Sequence, residues 1–127
     1  MRQGLAKLVL TGLFLMVAAG SGGGKELSAS PVQENVALAN LPEQGRDTYR
    51  RIHQGGPFRF EKDGAVFGNR ERLLPGEKRG YYREYTVETA GSKNRGVRRI
   101  VCGGAATMPD ACYYTADHYA SFRRIVP

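Results

Sequence analysis

The alternation of apolar and polar positions divides the 127-residue chain into three stretches. An uncharged run from Leu8 to Gly20, LVLTGLFLMVAAG, follows the cations Arg2 and Lys7. Residues 25–40, KELSASPVQENVALAN, are polar or small and hold no sustained period. From Leu41 onward the pattern becomes that of a folded unit. LPEQGRDTYRRIHQGG predicts a helix, with Pro42 in the first turn, Arg50 and Arg51 late, and Gly55–Gly56 as the stop. Tyr49 and Ile52, three apart, would face a sheet, while Gly45 weakens the helix start. Strand-like segments follow at 65–67, 81–88, 96–102, 113–115 and 118–126. Turn chemistry separates them at Asp63–Gly64, Pro75–Gly76, Gly91–Ser92 and between Cys102 and Cys112. One helix followed by strands on short turns implies the α+β class, an N-terminal helix packed on a twisted antiparallel sheet.

The amino end reads as an address. Thirteen helical residues reach about 20 Å, short of the roughly 30 Å hydrocarbon core of a bilayer. With Ala18, Ala19 and Gly20 closing the run, residues 1–24 read as a secretory signal peptide, cleaved between Ala19 and Gly24. An uncleaved signal anchor is the alternative. Residues 25–40 are expected to be a flexible segment, and 41–127 the domain. Fewer than ninety residues make a thin core. An exported chain meets an oxidising compartment, so Cys102 and Cys112 are expected to pair, worth about 3 kcal/mol for an eleven-residue loop. A reactive thiol is the weaker reading, because neither Cys has an activating motif beside it.

Composition adds one strong bias. Nineteen Lys and Arg against twelve Asp and Glu give a net charge of +7, and fourteen of those cations are Arg. Removing residues 1–24 leaves 17 − 12 = +5. An Arg-rich, basic domain favours a polyanionic partner met by planar, bidentate contacts. Two Cys exclude a zinc site built on four thiolates. No cofactor is expected.

Strand parity then sorts the polar residues. Tyr82, Glu84 and Thr86 share one face, opposite Tyr85 and Val87. Arg95, Val97 and Arg99 share another, and His118 opposes Tyr119. Neighbouring strands could thus bring Glu84, Arg95, Arg99 and His118 onto one surface. Such a set meets the needs of RNA cleavage by its own 2′-hydroxyl, which requires a base, an acid and cations around the phosphate, but no metal. A carboxylate beside Arg accepts the proton, and His, with an ordinary pKa near ~6.5, donates one. Two guanidinium groups meet charge growing in the transition state. A salt-bridge ladder and a solvated His would give the same pattern. His53, late in the helix, reads as structural.

Four stretches narrow the choice: GAVFGNRERLLP (64–75), GYYREYTVET (80–89), SKNRGVRRIV (92–101) and YYTADHYASFRRI (113–125). Together they closely resemble the secreted guanyl-specific ribonucleases of the barnase family, nearest the small Streptomyces-type branch, from about Leu41 to Ile125. The resemblance implies Glu84 as general base and His118 as general acid. It implies Arg99 on the scissile phosphate with Arg95 assisting, and Tyr119 bonding the phosphate from the other side. It implies a 2′,3′-cyclic phosphate intermediate, opened to a 3′-phosphate. Phe67, Gly68, Asn69, Arg70 and Glu71 match the guanine loop: Glu71 would accept guanine N1–H and N2–H, the N–H groups of Asn69 and Arg70 would meet O6, and Phe67 would offer its ring. Adenine would leave such acceptors unpaired.

Two departures stand out. Gly68 replaces a polar residue usual in that branch, so looser guanine binding is expected. The branch ties chain start to chain end by its disulfide, whereas here both Cys flank the 103–111 loop. Single-stranded RNA is the expected partner of a monomer that leaves the membrane after processing. A barstar-type inhibitor is a further candidate. The competing readings are a non-catalytic basic RNA-binding module, and the same chemistry deployed as a toxin with an immunity protein.

Overall fold

A computed structural model describes Val32 and residues 34–127. The signal-peptide reading and most of the segment before Glu34 lie outside the described residues. Helix α1 spans Glu43–Gln54 and begins where expected, with Pro42 as its N-cap, its carbonyl accepting from the N–H groups of Gly45 (2.8 Å) and Arg46 (3.0 Å). Gly45 is buried, and a Cβ there would press to 3.3 Å from Leu41 Cβ. The residue that lowers helix propensity therefore permits close packing of the chain entering the helix. The helix stops at Gly55, whose φ of 83° is left-handed, and Gly56 N–H returns to Arg51 O at 2.9 Å.

The strands are β1 (Val36–Ala37), β2 (Ala65–Val66), β3 (Tyr82–Thr86), β4 (Arg99–Gly104), β5 (Pro109–Thr115) and β6 (Arg123–Val126). They form one six-stranded sheet in the order β1-β6-β5-β4-β3-β2. Only β1, on the edge beside β6, runs parallel to its neighbour. Side-chain alternation gives the sheet two apolar faces. On one, Tyr85, Val87, Ile100, Cys102, Cys112, Tyr114 and Ile125 pack under Ile52 of α1. On the other, Tyr82, Val101 and Tyr113 join Leu74 and Phe122, which come from loops. The Thr48 hydroxyl donates to Thr86 O at 3.0 Å and ties α1 to β3.

Three expectations are corrected. The segment 25–40 is not loose throughout: Val36 pairs with Ile125, is buried, and is followed by a 3₁₀ turn at Leu38–Asn40. The folded unit thus extends ahead of Leu41. The segment 118–126 is a strand only from Arg123, because His118 and Tyr119 have φ of 55° and 73°, outside the extended region. The segment 96–102 is a strand only from Arg99, so Arg95 and Val97 lie on a loop and owe their positions to it rather than to strand parity. Cys102 and Cys112 are directly opposite in the β4–β5 pair and are disulfide-bonded. Pairing across adjacent strands explains why a bridge fits this hairpin without a partner at the chain ends.

Candidate active site

The site is built on the face of the sheet opposite α1. Register places Glu84 of β3 against Val101, Thr86 against Arg99 of β4, and Arg99 against Thr115 of β5. Glu84, Arg99 and Thr115 therefore point the same way from three adjacent strands. Loops supply the remainder. Residues 67–74 leave β2 along one side, and residues 116–122 connect β5 to β6 along the other. Between them lies a cleft of about 660 Å³, lined by Phe67 to Glu71, Glu84, His118 and Tyr119, with Val66, Leu73, Ala120 and Phe122 completing the wall.

Glu84 is the polar centre of this cleft. Its Oε1 accepts from Tyr119 OH at 2.8 Å and from Arg95 Nη2 at 3.1 Å, and Arg99 Nε stands 3.9 Å away. Arg95 is held by a second bond, Nε to Thr86 Oγ1 at 3.0 Å. Arg99 is only 3% exposed. It donates from Nε to Tyr119 OH (3.1 Å) and from Nη1 to the carbonyls of Arg98 (2.8 Å) and Arg95 (3.4 Å). Among the described residues its Nη2 meets no acceptor. A guanidinium immobilised on two nitrogens and spare on the third is organised to receive an anion. Burial, reinforced by the bond to Glu84, pushes the Tyr119 hydroxyl up to about 12, so it remains a proton donor throughout the neutral range.

His118 is exposed on the opposite lip. Its backbone N–H donates to Val97 O at 3.0 Å, joining its loop to the one carrying Arg95, and its ring lies 4.8 Å from that of Tyr119. The 67–74 loop is braced by Asn69. Its Nδ2 donates to Leu74 O (3.0 Å) while its Oδ1 accepts from Leu74 N–H (3.1 Å), and Arg72 N–H closes a turn on Asn69 O at 3.0 Å. Phe67 is anchored through its N–H to Tyr82 O at 2.9 Å, and its ring lies 5.0 Å from Tyr119 and 5.9 Å from Phe122. The N–H groups of Asn69 and Arg70 donate to no other described residue. The Glu71 carboxylate is exposed at the same wall.

Every residue the sequence assigned to catalysis or guanine binding thus lies at or beside one cleft, with Arg95 and Arg99 reaching it through Glu84, whereas Cys102, Cys112 and His53 lie elsewhere. Thr86, Leu73 and Phe122 were not singled out; nor were Thr115, Asp117 and Ser121, whose hydrogen bonds shape the 116–122 loop. The spacing of Thr, Asp and Ser around DHY is a local turn signal that could have found the last three.

Comparison with known proteins agrees with this geometry. A family model described as ribonuclease matches residues 25–126. Guanyl-specific ribonuclease Sa3 of Kitasatospora aureofaciens is 54% identical over 90 residues, which are 71% of this chain and 62% of that protein. This chain therefore spans somewhat less than two thirds of Sa3. Guanyl-specific ribonuclease Sa of the same organism is 50% identical over 94 residues, 74% of this chain and 95% of that one. A crystal structure of ribonuclease Sa2 with guanosine-2′-cyclophosphate superposes with a TM-score of 0.68 at 44% identity, covering 75% of this chain and 98% of that one.

Proposed function

The chain belongs to the ribonuclease family, and we propose that it is a guanyl-specific endoribonuclease acting on single-stranded RNA without a metal. The convergence of Glu84, His118, Tyr119 and the 67–71 loop on one cleft carries this reading. Guanine enters between Phe67 and Glu71: the Glu71 carboxylate accepts N1–H and N2–H, and the N–H groups of Asn69 and Arg70 meet O6. Glu84 takes the proton of the 2′-hydroxyl as the 2′-oxygen bonds to phosphorus. The bond from phosphorus to the 5′-oxygen breaks, and the His118 imidazolium gives its proton to that oxygen. Arg99, Arg95 and the Tyr119 hydroxyl stabilise the added negative charge on the phosphoryl oxygens. Glu84 is left protonated and His118 neutral, the states required to open the 2′,3′-cyclic phosphate with water, so the second step runs with roles exchanged.

Tyr119 gives the cycle a resting state. Its hydroxyl now donates to the carboxylate that must become the base. An entering phosphate offers it another acceptor, and the transfer would uncover Glu84 at the moment the substrate is seated. Export through residues 1–24 remains our reading of the chain's destination. An acidic inhibitor of barstar type is our candidate for protecting the producing cell, since Arg70 lines the cleft and Arg95 and Arg99 stand behind its central carboxylate.

The deciding experiment is cleavage of the dinucleotide GpC with EDTA present. The expected products are guanosine 2′,3′-cyclic phosphate and then guanosine 3′-phosphate. Glu84→Ala and His118→Ala should each lose about 10²-fold or more. Binding of GpC without turnover would refute the proposal in favour of a non-catalytic RNA-binding module.

A further inference from the structure

The general acid sits on a backbone that an L-residue does not choose unaided. His118 and Tyr119 are consecutive left-handed residues, with φ of 55° and 73°. Each such residue costs roughly 1 kcal/mol or more, so the surroundings must impose the conformation. The side chain at the centre of those surroundings is Asp117. Its Oδ1 accepts from Thr115 Oγ1 at 2.8 Å and from Ser121 N–H at 2.9 Å, and its Oδ2 accepts from Ser121 Oγ at 2.6 Å. Thr115, 1% exposed, in turn accepts Tyr119 N–H on Oγ1 at 3.1 Å. The backbone adds Ala120 N–H to Asp117 O at 3.3 Å. One carboxylate thus spans the loop from the end of β5 to Ser121, with His118 and Tyr119 enclosed between its two attachments. The hydrogen bonds, led by that from the Ser121 hydroxyl, hold the Asp117 carboxyl below the usual carboxylate range, so it is ionised when the loop is formed.

We propose that Asp117 is a positioning residue for the general acid: with Thr115 and Ser121 it clamps the 116–122 loop so that the His118 imidazole is presented to the leaving 5′-oxygen. The proposal rests on His118 being that acid. It does not touch substrate; it acts through His118.

The test uses two substrates that differ in their need for an acid. GpC releases an alkoxide, which must be protonated as it leaves. The 4-nitrophenyl ester of guanosine 3′-phosphate releases a stabilised phenolate, which leaves without a proton. His118→Gln should lose about 10²-fold or more in kcat on GpC and little on the ester. Asp117→Ala should show the same selectivity at smaller size, a kcat loss of about tenfold on GpC with KM within about twofold and the ester nearly unaffected. Asp117→Asn, which keeps the Oδ1 acceptor, should recover most of the activity. Ser121→Ala retains the Ser121 N–H bond and should show a weaker form of the same selectivity, which covers the case that Asp117→Ala does not fold. Equal losses on both substrates in Asp117→Ala and Ser121→Ala would overturn the clamp while His118→Gln remained selective. A His118→Gln variant impaired equally on both would instead overturn the acid assignment.

Discussion

Asn69 offers the sharpest test of how the 67–74 loop, the proposed guanine site, is held. Its φ is 52°, and its side-chain amide makes a two-pointed bridge to Leu74, at 3.0 and 3.1 Å. Asn69→Gly removes the bridge but leaves the backbone free to keep its left-handed turn. Two hydrogen bonds of about 1 kcal/mol each put the loss near 2 kcal/mol. Asn69→Ala removes the same bridge and also lacks the tolerance of this region that Asn and Gly share, a further cost of about 1 kcal/mol, for a total near 3 kcal/mol. In a domain of this size such losses lower the melting midpoint by on the order of 10–20 °C. The loop also carries Glu71 and the two free N–H groups, so KM for GpC should rise in the same order, Gly then Ala, with kcat changed less. Thermal melts and steady-state kinetics on the three proteins decide it. An Asn69→Ala protein that melts with the parent, or Ala and Gly variants of equal stability, would refute the division into bridge and backbone contributions.

Other expectations follow from the same geometry. Replacing both Cys102 and Cys112 by Ala should cost about 3 kcal/mol in urea titrations yet leave kcat nearly unchanged, since both sulfurs lie on the helix-facing side of the sheet, opposite Glu84. Gly68 has no positive φ, and a Cβ there would meet only the Arg70 side chain at 3.6 Å. Gly68→Gln should therefore fit and lower KM for GpC by a factor of about 2–5, the worth of one added hydrogen bond. Because the proposed mechanism needs a base without its proton and an acid with one, the pH profile of kcat/KM on GpC should be bell-shaped. With its hydroxyl pushed up to about 12, Tyr119 retains its proton across the profile. A basic limb that survived in His118→Gln would show that another group donates the proton.

The parts of this fold that were legible from sequence are those governed by local rules. Pro42 and Gly55–Gly56 bracket α1 because a fixed φ suits its entry and a left-handed cap suits its exit. Period-two alternation in YYREYTVE placed Glu84 and Thr86 together, away from Tyr85 and Val87, because a strand permits nothing else. Strand β1 was not legible. Two residues, Val36 and Ala37, carry no period, and their extended form is stabilised by Ile125, nearly ninety positions later. Arg95 was grouped with Glu84 for a reason that does not hold: it comes from a loop, fixed by Thr86 and by the carboxylate itself.

Strand parity reached Glu84 and Arg99 but not the rest of the site, because the other working residues sit where strand geometry stops. Among the described residues, the non-glycine positions with left-handed φ are Asn69, Arg72, His118 and Tyr119, and all four lie in the two loops that wall the cleft. An extended His118 would alternate with Tyr119 across the sheet and could present only one of them to Glu84. The left-handed pair instead turns both side chains toward the same cleft, as the roles proposed for them at the leaving oxygen and the phosphate require. That conformation is intrinsically unfavourable, and the network around Asp117 offsets it, as the Asn69 bridge does on the facing loop. Strain and brace are therefore two sides of one arrangement. Variants that release a brace should impair the function of the loop it holds, guanine binding for Asn69 and proton donation for Asp117, and the separation of those two defects is what a shared global destabilisation could not produce.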